Sequence, residues 1–283
     1  KNLLFIRKII IVETKDRKMK IATLNINSIN ARLQNLNEWL AKNQPDVLLL
    51  QEIKTEFNNF PFFDLQVAGY DAKILGQKSY NGVAVLSRHK MTVLSENLPN
   101  FPDENARYLE VEFVKNGRSY VVASLYLPNG NPPYNNTADT TRFEYKLRWM
   151  DAFLAHAEEL ILSHKNVVLA GDFNVILTKN DVFNPELFAG NALYRPEVWQ
   201  RLQQLMFMGY SDAYRLLYPK QAGYTFWDYT GASFANDLGM RIDYVFCSPA
   251  MADCLLSCRI DRDFRAKEKA SDHTILTAEF RED

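Results

Sequence analysis

A chain of 283 residues has room for one large domain or two small ones, and at that size about three quarters of the unfolded surface is buried without a covalent staple. A hydrophobic content of 47%, with 13% aromatic residues, excludes a disordered chain. Basic and acidic residues nearly cancel, 33 against 34 for a formal net charge of -1, so bulk charge gives no sign of a nucleic-acid partner and leaves only a local basic patch open to one.

Residues 1–18 read as a flexible N-terminal extension or an artefact. Their apolar stretch from Leu3 to Val12 is interrupted by Arg7-Lys8, is too short to span a bilayer and lacks a small-residue cleavage site. No membrane partner is expected. Met19 then opens a strand. Apolar runs predict strands at 21–25, 47–51, 82–87, 108–114, 119–127, 167–170, 241–247 and 274–280. Asn116-Gly117, between two of these, is a hairpin turn of the kind that needs positive φ. Three stretches have the spacing of a helix with one buried face. Residues 28–42 present Ile29, Leu33, Leu36, Trp39 and Leu40, and residues 142–163 do the same from Phe143 to Ile161. Residues 196–208 start with Pro and are followed by Gly209, a stop signal. No linker or repeat divides the chain, so residues 19–283 are expected to form a single domain. Helices alternate with strands too sparsely for a doubly wound sheet; an α/β architecture of two packed mixed sheets with helices outside fits better. No partner helix or zipper is evident, and a monomer is expected. The three cysteines, Cys247, Cys254 and Cys258, are too few for a disulfide framework and lack a Cys-x-x-Cys pair, which suits a reducing compartment and argues against zinc.

The run Val167-Val168-Leu169-Ala170 stops at Gly171-Asp172-Phe173-Asn174. Side chains alternate along a strand, so Asp172 and Asn174 can point one way while Phe173 points into the core. Taken alone, the pair is equally good turn chemistry. The pattern recurs. Leu24 is followed by Asn25, Leu50 by Gln51-Glu52, and Leu125 by Tyr126-Leu127-Pro128-Asn129. Asp243 stands at the start of a strand, and Ser271-Asp272-His273 immediately precedes one. Each has a plain structural reading: Asn25 as a helix cap, Glu52 as a solvated strand end, Asp243 as a partner of Arg241, His273 as a hydrogen-bonded surface histidine. Together they form a set of oxygen donors and one histidine at strand ends. Hard divalent cations want such oxygens. Phosphodiester hydrolysis wants the cation, a positioned water and an acid or base. A histidine gains a fixed tautomer from a buried carboxylate. With no thiolate or paired-histidine set, magnesium is expected, with manganese able to substitute, rather than zinc.

Nine stretches then follow in a familiar order: 21–28, 50–54, 76–84, 126–130, Tyr145-Lys146-Leu147-Arg148-Trp149, 171–174, 224–229, 239–244 and 271–273. On these the chain resembles, from Met19 to Phe280, the exonuclease III family of the endonuclease/exonuclease/phosphatase superfamily, which includes the abasic-site endonucleases of base excision repair. The resemblance implies a four-layer α/β sandwich. It implies a metal-dependent phosphodiesterase on double-stranded DNA, incising 5′ to abasic sites, removing 3′ nucleotides and trimming blocked 3′ ends. Asn25, Glu52 and Asp272 match positions that bind or border the metal, with Asp172 and Asn174 also close to it. Asp172 matches the acid that activates water or protonates the leaving oxygen, with Asn174 orienting it. Tyr126 matches a tyrosine on the scissile phosphate, and Asp243 and His273 an acid–histidine pair facing that phosphate. Tyr80, Phe226 and Trp227 stand where the family stacks on DNA, and Lys78 where a phosphate contact is expected; Trp227 reads equally well as a core tryptophan. Met240, Asn30 and Leu24 replace a tryptophan, an arginine and a tryptophan common in relatives, which touches DNA grip rather than the hydrolytic core. Ala192 suggests room for an abasic sugar. A non-catalytic nucleic-acid-binding regulator would have lost part of the polar set, and none of its eight positions is lost. A lipid or inositol phosphatase fits the stretches 76–84 and 224–229 less well. The implied location is the cytoplasm of a bacterial-type cell, at the nucleoid.

Overall fold

Val47-Leu48-Leu49-Leu50 and Val167-Val168-Leu169-Ala170 have no polar side, so strands built from them must be covered on both faces. The computed structural model describes residues 18–282 and provides that cover with two sheets packed face to face and a helical layer outside each. The expected extension, residues 1–18, lies outside the described residues apart from Lys18, which begins the first strand.

The strands are β1 (Lys18–Asn25), β2 (Val47–Gln51), β3 (Asp71–Leu75), β4 (Val83–Ser87), β5 (Met91–Glu96), β6 (Tyr108–Lys115), β7 (Arg118–Tyr126), β8 (Val167–Asp172), β9 (Ser211–Asp212), β10 (Asp243–Cys247), β11 (Leu255–Asp261) and β12 (Ile275–Arg281). The helices are α1 (Ile29–Asn43), α2 (Phe62–Val67), α3 (Thr141–Ser163), α4 (Pro196–Phe207), α5 (Ala213–Leu217), α6 (Pro249–Ala252) and α7 (Arg262–Arg265). One sheet has the order β11-β12-β1-β2-β4-β3, the other β5-β6-β7-β8-β10-β9. Alternate residues of each buried strand serve different layers. Val47, Leu49, Val168 and Ala170 meet between the sheets. Leu48 and Leu50 pack on Leu36, Trp39 and Leu40 of α1. Val167 and Leu169 pack on Phe153 and Ala157 of α3 and Leu202 of α4. The four-layer sandwich expected from the sequence is what forms. β3, β5, β9 and β11 were not anticipated, and all four are sheet edges. The β6–β7 hairpin turns at Asn116 (φ 50°) and Gly117 (φ 77°), as the pair requires.

The topology gathers strand ends. Parallel neighbours need a crossover. α1 supplies it between β1 and β2, paired through Asn25 and Gln51; α3 supplies it between β7 and β8, paired through Tyr126 and Asp172. Four C-terminal strand ends therefore meet at one rim of the sandwich. β10 runs the other way and starts there, with Asp243 opposite Asp172.

Candidate active site

Asn25, fully buried at the end of β1, links the two sheets. Its Nδ2 donates to Glu52 Oε1 at 2.8 Å and to Asp172 Oδ2 at 3.0 Å. Its Oδ1 accepts the Asn27 N–H at 3.1 Å, so every polar atom of the carboxamide is engaged. Just past β2 the chain turns left-handed at Glu52 (φ 48°), held there by Ser28 N–H donating to Glu52 O at 2.7 Å. Such a conformation is uncommon for a residue with a side chain and persists where surroundings over-determine it. Burial pushes the Glu52 carboxyl up, but Asn25 and Lys54 outweigh it and hold it below its usual value. Lys54 Nζ lies 2.8 Å from Glu52 Oε2 and donates to Asn27 Oδ1 at 2.6 Å. Asn27 Nδ2 donates in turn to Asp272 Oδ1 at 3.0 Å. Asn27 and Lys54 thus connect Asp272 to Glu52. Neither was singled out from the sequence; the only available signal was their place within stretches 21–28 and 50–54.

Asp172 is 1% exposed. Phe173 beside it packs into the core against Phe153, Tyr244 and Phe246, so the carboxylate faces the rim as strand alternation predicts. Burial, opposed by the charge of His273 and reinforced by Asp243, pushes the Asp172 carboxyl up to about 7. Asn174 orients it with its main chain: the Asn174 N–H donates to Asp172 Oδ1 at 2.9 Å. The Asn174 carboxamide is turned away, donating to Leu127 O at 2.9 Å and accepting from Asn129 at 3.1 Å.

His273 Nδ1 lies 2.9 Å from Asp243 Oδ2, and its Nε2 lies 3.7 Å from Asp172 Oδ2. Burial favours the neutral ring, but Asp243 and Asp172 raise it to about 10, so it is an imidazolium at neutral pH. Arg241, the alternative partner for Asp243, is engaged elsewhere: its guanidinium meets Asp181 at 2.7 Å and Asp212 at 2.8 Å. Tyr126 closes the ring at the end of β7. Burial, then Glu52 and Asp172, push its hydroxyl well above its usual value, which keeps it a donor. The Arg107 guanidinium stands 4.9 Å from the centre of the Tyr126 ring. A cavity of about 600 Å³ opens here, lined among others by Tyr80, Arg107, Tyr126, Asn129 and Tyr145.

Among the described residues, one group of side chains has ligand atoms close enough to share a metal, those of Glu52, Asp172 and His273, within 4.8 Å of one another. His273 is the one nitrogen donor of the group, and its Nδ1 is engaged by Asp243. The oxygens of Glu52 and Asp172 remain, with Asp272 alongside through Asn27. These are hard donors, which fit magnesium or manganese.

The DNA-facing expectations divide. Tyr80 is 71% exposed beside the cavity, and Lys78 is exposed on the same turn. Phe226 stands 4.9 Å from the His273 ring and joins Met240, Ile242, Ile176 and Val182 in an apolar wall next to the site. Trp227 is a correction. It is 1% exposed, enclosed by Tyr224 and Phe234, with its Nε1 donating to Asp237 at 3.1 Å, so the core reading holds and no ring face is free to stack on a base. Ala192 is also buried, against the α3 layer, and opens no room for a sugar. Asn30 is tied to Thr55 and to Asn59 O, and Leu24 packs under α1.

A family model described as "Endonuclease/Exonuclease/phosphatase family" matches residues 22–273. Exodeoxyribonuclease III of Haemophilus influenzae is 29% identical over 271 residues, spanning 93% of this chain and 100% of that protein. A Neisseria 3′ phosphatase, NExo, solved with a product DNA hairpin, is 37% identical with a TM-score of 0.87, over 93% of this chain and 100% of that one. An AP endonuclease from Archaeoglobus fulgidus is 30% identical with a TM-score of 0.84, over 93% and 99% of the two chains.

Proposed function

The chain belongs to the endonuclease/exonuclease/phosphatase family, and from that premise we propose that it is a divalent-metal-dependent nuclease of DNA repair. Its substrates are double-stranded DNA with abasic sites, incised on the 5′ side, and 3′ ends, from which it removes nucleotides or blocking groups. It works as a monomer through a single catalytic unit running from Met19 onward. The observation that carries this reading is the buried Asp172 carboxylate at 3.0 Å from Asn25 and 3.7 Å from His273 at the meeting point of both sheets.

Glu52 and Asp172, with Asp272 alongside and bordered by the carboxamides of Asn25 and Asn27, are the residues to hold a magnesium or manganese ion; the Asn174 carboxamide, turned to Leu127 and Asn129, contributes only its N–H to Asp172. Bound there, the ion would neutralise charge on the phosphate oxygens. The protein's own groups do the rest. The His273 imidazolium, oriented by Asp243, and the Tyr126 hydroxyl donate to the oxygens on which charge develops. Asp172, lifted to about 7, is poised to exchange a proton near neutral pH and is the proton-transfer group. Asn25 and the Asn174 N–H keep its two oxygens fixed. Phe226 and Met240 provide an apolar wall for a base-less sugar, and Tyr80 and Lys78 contact the flanking strand.

The deciding assay uses a duplex oligonucleotide with one abasic site. Wild-type protein should cleave it in magnesium and not in EDTA, and D172N should lose about 10²- to 10⁴-fold in turnover while remaining folded. Full activity in D172N, or in EDTA, would remove the assignment.

A further inference from the structure

The stretch Tyr145-Lys146-Leu147-Arg148-Trp149 has no part in the chemistry above, yet it contains a fully buried lysine. Lys146 lies on α3 and has no carboxylate partner among the described residues. Its Nζ donates instead to two main-chain carbonyls, Asn129 O at 3.0 Å and Asn174 O at 2.6 Å. Burying a lysine is unfavourable: burial pushes its pKa down to about 7 against the charge of Asp172, and an apolar side chain would fill the same space at lower cost. What an apolar side chain could not do is donate. The two carbonyls belong to different loops. One leaves β7 after Tyr126; the other leaves β8 after Asp172. Room for the lysine stem comes from Gly130 (φ 84°), where a Cβ would stand 2.6 Å from Lys146 Cδ.

The contact acts on one residue in particular. Asn174 sits in the left-handed region at φ 48°, a turn conformation that asparagine tolerates better than most residues. Its N–H, on one side of the Cα, is held by Asp172 Oδ1 at 2.9 Å. Its C=O, on the other side, is held by Lys146. The Asn174 carboxamide is tied to Leu127 O and Asn129, but the main-chain carbonyl is held by Lys146, and losing that bond loosens the peptide whose N–H fixes Asp172.

We propose that Lys146 is a positioning residue whose buried side-chain nitrogen, donating to both carbonyls, clamps the Asn129 and Asn174 loops together and so holds Tyr126 and Asp172 against the same phosphate. The proposal rests on the reading of Asp172 as the proton-transfer group. A misplacement of about 1 Å at a reacting group costs on the order of 100-fold in rate.

The test compares wild type, K146M and K146Q in two readouts. The first is kcat and KM on the abasic-site duplex in magnesium. The second is amide hydrogen exchange without DNA. K146M should lose on the order of 100-fold in kcat with KM little changed. Exchange should quicken in residues 172–177 while α3 stays protected. K146Q, which restores one donor, should fall between. Wild-type kcat in a folded K146M, or unchanged exchange at 172–177, overturns the clamp. If K146M loses protection throughout α3, K146Q decides: wild-type kcat or unchanged loop exchange in that variant overturns it equally. If wild type cleaves no DNA, the nuclease reading has failed instead, and exchange still decides whether the clamp exists.

Discussion

Replacing Asp172 by Asn separates two effects that the buried carboxylate combines. Burial lifts the carboxyl from 3.8 to about 7, against the charge of His273 and with that of Asp243. An acid with a raised pKa binds its proton more tightly folded than unfolded, so stability falls as pH climbs from 3.8 towards about 7. At about 1.4 kcal/mol per pKa unit, that difference sets a ceiling of roughly 4 kcal/mol on the loss. Asn does not ionise, so it escapes this loss. It does, however, bring an NH2 to a place where both oxygens accept, from Asn174 N–H at 2.9 Å and Asn25 Nδ2 at 3.0 Å. One donor then lacks an acceptor, at about 1–3 kcal/mol independent of pH. The stability of D172N minus that of wild type should therefore rise between about pH 4 and 7, level off above, and end near or above zero. Urea unfolding of both proteins in EDTA across this range measures it. A difference that stays flat or falls with pH refutes the reasoning.

Three further outcomes are expected. Against burial, Asp243 holds His273 up to about 10, so His273 contributes stability fully below 6.5 and loses it as pH rises through about 10. In D243N the largest charge opposing burial is gone and Asp172 remains, so the His273 ring should titrate below its wild-type position by NMR, and kcat on the abasic duplex should fall about 10²- to 10³-fold; an unshifted ring with normal turnover contradicts this. W227A should cost about 3–5 kcal/mol in urea unfolding yet leave KM for duplex DNA unchanged, because Trp227 is core; a large rise in KM would return it to the DNA surface. Burial lowers His156, but Glu110, 2.7 Å from its Nε2, and Glu159 raise it above 6.5 on balance. Its stabilising charge is present below 6.5 and lost as pH rises through the raised value. H156Q should thus flatten the stability profile between 6.5 and that raised value, and a profile identical to wild type would show that the Glu110 pair contributes nothing.

The strands anticipated from apolar runs, β1, β2, β4, β6, β7, β8, β10 and β12, are the interior strands of both sheets, and β3, β5, β9 and β11 are the edges. Interior strands are covered on two faces and must be apolar throughout or in alternation. An edge strand is half solvated: Met91 to Glu96 alternates between half-buried and exposed positions, and Ser211-Asp212 is too short for any period. The polar set at the strand ends was legible on the same grounds, since a carboxylate or carboxamide that ends a buried run stands out; the roles proposed for it came from the family resemblance. Asn27 and Lys54 were not, because two or three residues past a strand end they look like ordinary turn residues. Their meaning comes from Asp272, 245 positions from Asn27.

Periodicity and the residues that interrupt it are local properties, and they were enough to specify the interior strands, the layered architecture and the polar groups at the strand ends. Contacts between those groups are not local. Asn25 meets Asp172 across 147 positions only because two sheets close on one another, and the same closure turned Trp227 inward, left Tyr80 exposed and brought Lys146 under the loop that carries Asn174.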